Sequence, residues 1–177
     1  MPRLFHFSEE PNIERFVPRS PLAHPDAEAL VWAIDEAHSH FYLFPRECPR
    51  IGIWDLETGP QGMHLYAQED WKEQIQATTL YRYEFDPMGF TDCQDHGVWT
   101  CDSIIEAIDR VAITDLEGAL KEAGARLSYL SDLKAKAEEL YNFERKEWKT
   151  ALHVSMTRMR NLADWPHAKG KPTTPKS

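Results

Sequence analysis

Apolar positions in this chain fall in short runs separated by turn residues, so the pattern predicts small strands and short helices in place of long amphipathic segments. Leu4–Phe7, Leu30–Ile34, Ile51–Trp54 and Met63–Tyr66 read as strands. Thr78–Phe85 (T-T-L-Y-R-Y-E-F) alternates β-branched and aromatic residues with polar ones and is a further strand. Val98–Thr100, Ile108–Ile113 and Arg126–Leu130 complete the set. Pro11–Phe16 predicts a helical turn with proline at its first position, where the missing N–H has no bond to lose. Asp35 is placed to cap a short helix reaching about Phe44. Glu69–Gln76 carries acids in its first turn, which suits a helix dipole. Thr114-Asp115-Leu116-Glu117 has the form of a capping box, with Gly124 ending that helix.

The remaining segment to about Leu162 reads as helical, broken near Tyr141–Phe143. Trp148, Leu152, Ser155/Met156 and Met159 recur at helical spacing and share one face. Val17–Ala29, with Pro18, Pro21 and Pro25, is a loop. The sum is a single α+β domain over residues 1–164, with a mostly antiparallel or split β-sheet, flanking helices and a C-terminal helical segment. A flexible basic tail over 165–177 follows, for want of apolar residues to bury.

Composition narrows the class. The 177 residues are 42% hydrophobic and 11% aromatic, which excludes wholesale disorder. Mean hydropathy is −0.57, and no apolar run approaches the ~18 residues of a membrane span. The N-terminus has no long apolar stretch of a secretory signal. Cys48, Cys93 and Cys101 are odd in number and not framework-spaced, which predicts reduced thiols in a cytoplasm. A net charge of −9 argues against duplex nucleic acid. Residues 141–177 nevertheless carry 8 basic and 3 acidic groups, a pattern consistent with a basic helix and tail leaning on an acidic body. The oligomeric state stays open.

The richest chemistry lies between the strands ending at Ile34 and beginning at Ile51. Two His, a Tyr, two Arg and a Cys stand there, none of which a core strand needs. His6, between Phe5 and Phe7, is either a ligand-bonding histidine or a buried one satisfied by a backbone carbonyl. Trp32 and Tyr42 either stack on a planar ligand or belong to the core. His38 and His40, two residues apart, point to different sides of a helix and make no helical metal pair. Arg46 and Arg50 flank Cys48; they suit a carboxylate or phosphate, and would lower the thiol pKa toward reactivity, unless they simply pair with surface acids. Cys93, His96 and Cys101 have a flavour of zinc ligands but lack a paired knuckle, so no metal is assigned. Glu84 shares a strand face with Arg82 and is either an inward carboxylate or an ion-pair partner. Arg158, Arg160 and Asn161 either complement a helix C-terminus or clamp an anion.

The stretches L-F-H-F-S-E-E-P-N-I, L-V-W-A-I-D-E-A-H-S-H-F-Y-L-F-P-R-E-C-P-R, Y-R-Y-E-F-D-P and T-R-M-R-N resemble a family of uncharacterised bacterial proteins, over most of the chain but not its tail. More distantly, a first-strand His, a strand followed by a helix carrying Tyr, and a later acidic strand are similar to the ADP-ribosyltransferase superfamily. That resemblance implies a split β fold with NAD in a cleft, His6 on the ribose and Tyr42 on the nicotinamide. The family's Glu opens a late strand. The matching stretch here, His96-Gly97-Val98-Trp99-Thr100, lacks it, and Glu84 is the acid one strand earlier.

Three functional expectations result. The first is a small nucleotide-binding, NAD-like protein with an ADP-ribosyltransferase-like cleft, catalytically active through His6, Tyr42 and Glu84 or inactive, with NAD as substrate. The second is a non-enzymatic accessory protein with no small-molecule site. The third is a metal-dependent hydrolase in which His6, His38 or His40 converges with acids such as Asp35 or Asp55.

Overall fold

The computed structural model describes residues 1–22, 24–141, 151–163 and 165. Trp148 and the expected tail beyond Trp165 lie outside the described residues; Trp165 itself, expected to open that flexible tail, is buried in the core, because its indole has apolar surface to cover. The architecture is α+β, built on two open sheets whose strand pairs are antiparallel with one exception. The chain forms two compact units: residues 1–43 with 79–114, and residues 44–78 with 115–177.

Unit 1 holds a six-stranded sheet in the order β6-β7-β2-β1-β5-β8. Its strands are β1 (Leu4–Ser8), β2 (Val31–Asp35), β5 (Leu80–Phe85), β6 (Thr91–Asp92), β7 (Val98–Cys101) and β8 (Asp109–Ile113). The register sets Leu4 opposite Phe85 and His6 opposite Tyr83. Because side chains alternate across a strand, Leu4, Tyr83 and Phe85 point to one face, where they form a core with Val31, Ala33 and Phe16. Phe16 is the keystone, its ring 5.1 Å from Tyr83 and 4.8 Å from Phe85. The helical turn predicted over Pro11–Phe16 is therefore corrected. A turn at Pro11–Asn12 leads into extended chain, and Phe16 bridges to Ile105. Burying that ring outweighs the local preference of a proline-led turn. The Tyr83 hydroxyl fixes the segment by donating to the Glu10 carbonyl at 2.5 Å and accepting from the Ile13 N–H at 3.1 Å.

Unit 2 holds a four-stranded sheet, β10-β3-β4-β9, built from β3 (Arg50–Asp55), β4 (His64–Gln68), β9 (Arg126–Leu130) and β10 (Leu152–Thr157). Only the β4–β9 pair is parallel. Helix α3 (Leu133–Tyr141) covers one face, where Leu133 and Ala137 pack with Ile51, Met159, Leu162 and Trp165. Helices α1 (Lys72–Ala77) and α2 (Leu116–Glu122) pack together, and α2 lies on β9. The α2 cap is Asp115, which accepts from the Gly118 N–H at 2.9 Å, one residue later than the predicted box.

The helix predicted through Leu152 and Met156 is a second correction. Leu152–Thr157 is a strand paired with β3. Leu152, Val154 and Met156 alternate with His153, Ser155 and Thr157, a period of two that suits the open side of β3. Among the described residues no helix is long and apolar enough to cross a membrane.

Candidate functional site

Strand β2 ends at Asp35, and Asp35 caps the 3-10 helix Glu36–Tyr42 that follows. An N-cap carboxylate reaches the residue three positions on. Its Oδ1 accepts from the His38 backbone N–H at 2.9 Å and from the same residue's Nδ1 at 2.7 Å. A carboxylate only accepts, so Nδ1 carries a proton toward Asp35 and Nε2 is the other ring nitrogen. Both side chains are 18% exposed, so the pair is sheltered yet reachable.

The turn between β6 and β7 brings a second histidine alongside. His96 is exposed, and its ring centroid lies 6.4 Å from that of His38. The turn is strained: Gln94 and His96, neither of them glycine, have φ of 55° and 42°. Gly97, at φ 85°, packs its backbone directly on the dyad. A Cβ there would sit 2.4 Å from His38 Nδ1 and 2.7 Å from Asp35 Oδ1. The Gly97 carbonyl accepts from the Asp35 N–H at 2.8 Å.

Arg3 organises the same end of the sheet. Its guanidinium donates to both carboxylate oxygens of Glu84, at 3.0 and 2.9 Å, and to Glu36 at 2.9 Å. These bonds hold the Glu84 carboxyl below its ordinary range. Glu84 is thus an ion-pair partner, bonded to the neighbouring Arg3 and also feeling Arg82.

His6 is half-buried on the core face of β1. Its Nδ1 donates to the Trp32 carbonyl at 3.1 Å, and its ring lies 5.0 Å from Phe16. Trp32 is 45% exposed. Tyr42 ends the 3-10 helix, half-buried and edge-on to Phe41 at 5.5 Å.

In unit 2, Arg50 is buried; it donates to the Cys48 carbonyl at 3.0 Å and lies over the Phe44 ring. The expected activation of Cys48 is corrected. Burial pushes its thiol up to about 12, against the lowering by Arg50. Asn161, also buried, donates to the Glu47 carbonyl at 2.6 Å and to its carboxylate at 3.1 Å. Arg46 lies 4.0 Å from the same carboxylate. Arg158, at φ 57°, feels Glu47, Arg160 and Arg46, and burial lowers its pKa most. The fold therefore gathers Arg46, Arg158 and Asn161 around Glu47, with Arg160 close enough to Arg158 to be felt by it. Cys101 is buried in the unit 1 core, while Cys93 meets the Thr100 hydroxyl at 3.4 Å. Among the described residues no three His, Cys, Asp or Glu side chains are grouped to hold a metal ion.

His38 was expected to converge with acids such as Asp35 only within a metal-dependent site; the two pair directly, His38 Nδ1 on Asp35 Oδ1. The signal was present as D-x-x-H, the spacing by which a cap reaches its third residue.

A family model described as a family of unknown function, DUF6886, matches residues 5–162. The chain belongs to that family. The DUF6886 match includes Asp35, His38, His96 and both sheets. No curated protein and no solved structure matches the chain.

Proposed function

We propose that the protein is a general acid–base enzyme acting on a small substrate with a phosphoester or N-glycosidic bond. The observation that carries this reading is the Asp35–His38 dyad facing His96. An imidazole held by a carboxylate has a fixed tautomer and a defined basic nitrogen, the usual requirement for proton transfer. Ring centroids 6.4 Å apart put both imidazoles within reach of one small substrate. His38 Nε2 takes the proton from an attacking water or hydroxyl. His96, protonated, gives one to the leaving group. The strained turn under His96 supports a positioned group, since left-handed non-glycine residues cluster at functional sites.

The test is turnover of NAD, 2′,3′-cyclic AMP and bis(p-nitrophenyl) phosphate by wild type, His38→Gln, His96→Gln and Asp35→Asn. Loss of either imidazole should cost about 100-fold or more in kcat, with Asp35→Asn also impaired and the pH profile bell-shaped. Absence of turnover with all three substrates, or full activity of both Gln variants, overturns the reading.

The NAD cleft of the ADP-ribosyltransferase resemblance has less support, because His6 Nδ1 bonds the Trp32 carbonyl and its ring packs on Phe16, as a structural histidine does. NAD turnover or binding lost in His6→Ala and Tyr42→Ala but kept in His38→Gln would favour that cleft over the dyad.

A further inference from the structure

Unit 2 contains a cavity of about 660 Å³ at the edge of its sheet, where β9 meets α1 and α2. Lys72 of α1, Lys121 of α2 and Arg126 of β9 all line it, beside His64 and Ser128. We infer that this cavity is a binding site for a small anion bearing phosphate or carboxylate groups. The inference is independent of the His38 dyad, which belongs to unit 1.

The chain has 29 acidic and 20 basic side chains, so an average cation has more than one carboxylate available to it. Among the described residues, however, Lys72, Lys121 and Arg126 form none of the ion pairs. Three cations from three separate elements facing one concavity without carboxylate partners repel one another, and a bound anion relieves that repulsion.

The one acid in the lining is already engaged. Glu117 accepts from the Tyr129 hydroxyl at 2.5 Å and from the Gln76 amide at 3.3 and 3.4 Å. Burial and Glu117 together raise the Tyr129 pKa, which keeps the phenol protonated and donating. Glu117 thus braces the wall between α1, α2 and β9 through neutral donors. Lys72 lies over the Tyr129 ring, 5.2 Å from its centroid, so the same brace orients one of the three cations.

The floor supplies neutral hydrogen-bonding groups. His64 and Ser128 are neighbours across the parallel β4–β9 pair, with Nε2 and Oγ 2.7 Å apart. The second ring nitrogen of His64 lies 3.1 Å from the Tyr66 hydroxyl. Burial lowers the His64 pKa, and Arg126 and Lys136 lower it further, as a positive local field requires. Both His64 nitrogens are thus engaged, and the Ser128 hydroxyl it orients is the neutral group that suits an ester or sugar oxygen of a ligand whose charge sits on the cations.

Calorimetric titration of the full chain with pyrophosphate, citrate and ADP tests this. At least one should bind saturably, weakening as sodium chloride rises. Arg126→Gln should weaken it about tenfold, the value of one charge-assisted bond. Lys72→Gln/Lys121→Gln should do the same, with unchanged urea unfolding. Binding of ADP but not pyrophosphate or citrate would place a nucleoside contact in the site; citrate alone would make carboxylate the recognised group. Saturation by none of the three overturns the inference, as does binding indifferent to both variants. Binding retained in His38→Gln assigns it to this cavity, and binding lost there assigns it to the dyad and overturns the inference.

Discussion

Replacing Gly97 by alanine separates two physical effects at the dyad. The first is backbone strain. At φ +85° an L-residue pays about 1–2 kcal/mol relative to glycine. The second is a collision. The new Cβ would meet His38 Nδ1 at 2.4 Å, His38 Cγ at 2.7 Å and Asp35 Oδ1 at 2.7 Å, so the ring or the carboxylate must move. Moving either breaks the 2.7 Å bond between them, and a hydrogen bond to a charged group is worth about 1.5–3 kcal/mol. The expected total is about 2.5–5 kcal/mol. Gly89→Ala is the control, because Gly89 has φ +88° and nothing within 4 Å of its missing Cβ. It should show the strain alone. Urea unfolding of the two variants should therefore differ by about 1.5–3 kcal/mol. In NMR spectra only Gly97→Ala should shift the His38 ring resonances. Equal destabilisation with an unmoved His38 signal would refute the claim that Gly97 is required by the dyad.

Two further outcomes are expected. Cys93, which is exposed, should react quickly with a thiol reagent such as DTNB, whereas Cys48, buried with its thiol raised to about 12, should stay unmodified until the chain is unfolded; fast labelling of Cys48 in the native state would contradict that placement. Arg3 depresses the Glu84 carboxyl below its ordinary 4.5, so this pair's stabilisation is complete above pH 4.5 and disappears as pH falls through the lower folded value; Glu84→Gln should be less stable than wild type at neutral pH and lose that part of the acid dependence, and an unaltered acid-unfolding curve would show that the pair contributes nothing.

Much of the fold was legible because local pattern and tertiary need agree. Leu4–Phe7, Leu30–Ile34 and Thr78–Phe85 are strands in both readings, shifted by a residue or two at their ends. The Asp35 cap was legible because it depends only on residues three apart. Leu152–Thr157 was misread because apolar residues at spacings of two and four fit a strand face as well as a helix, and the pairing with β3 decides between them. Within the candidate site, D-x-x-H was visible in one segment, whereas His96 comes to it from about sixty residues away through the β2–β7 pairing. The cations of the unit 2 cavity are less legible still. Lys72 and Lys121 look like ordinary solvated helix residues, and only the packing of α1, α2 and β9 turns them toward Arg126.

The discontinuous layout has a consequence for biosynthesis. The chain leaves unit 1 at Leu43, returns at Thr79 and leaves again after Thr114. A ribosome therefore releases every strand of the six-stranded sheet before it has made β9 or β10. During that interval β3 and β4 can pair only with each other, because their outer neighbours, β9 and β10, come after Thr114 in chain order. A nascent hairpin with two bare edges is the stage at which wrong partners, or a chaperone, have access. Slow codons just after Thr114 would prolong that exposure, and a premature stop there would release a finished first sheet tethered to an unfinished second one.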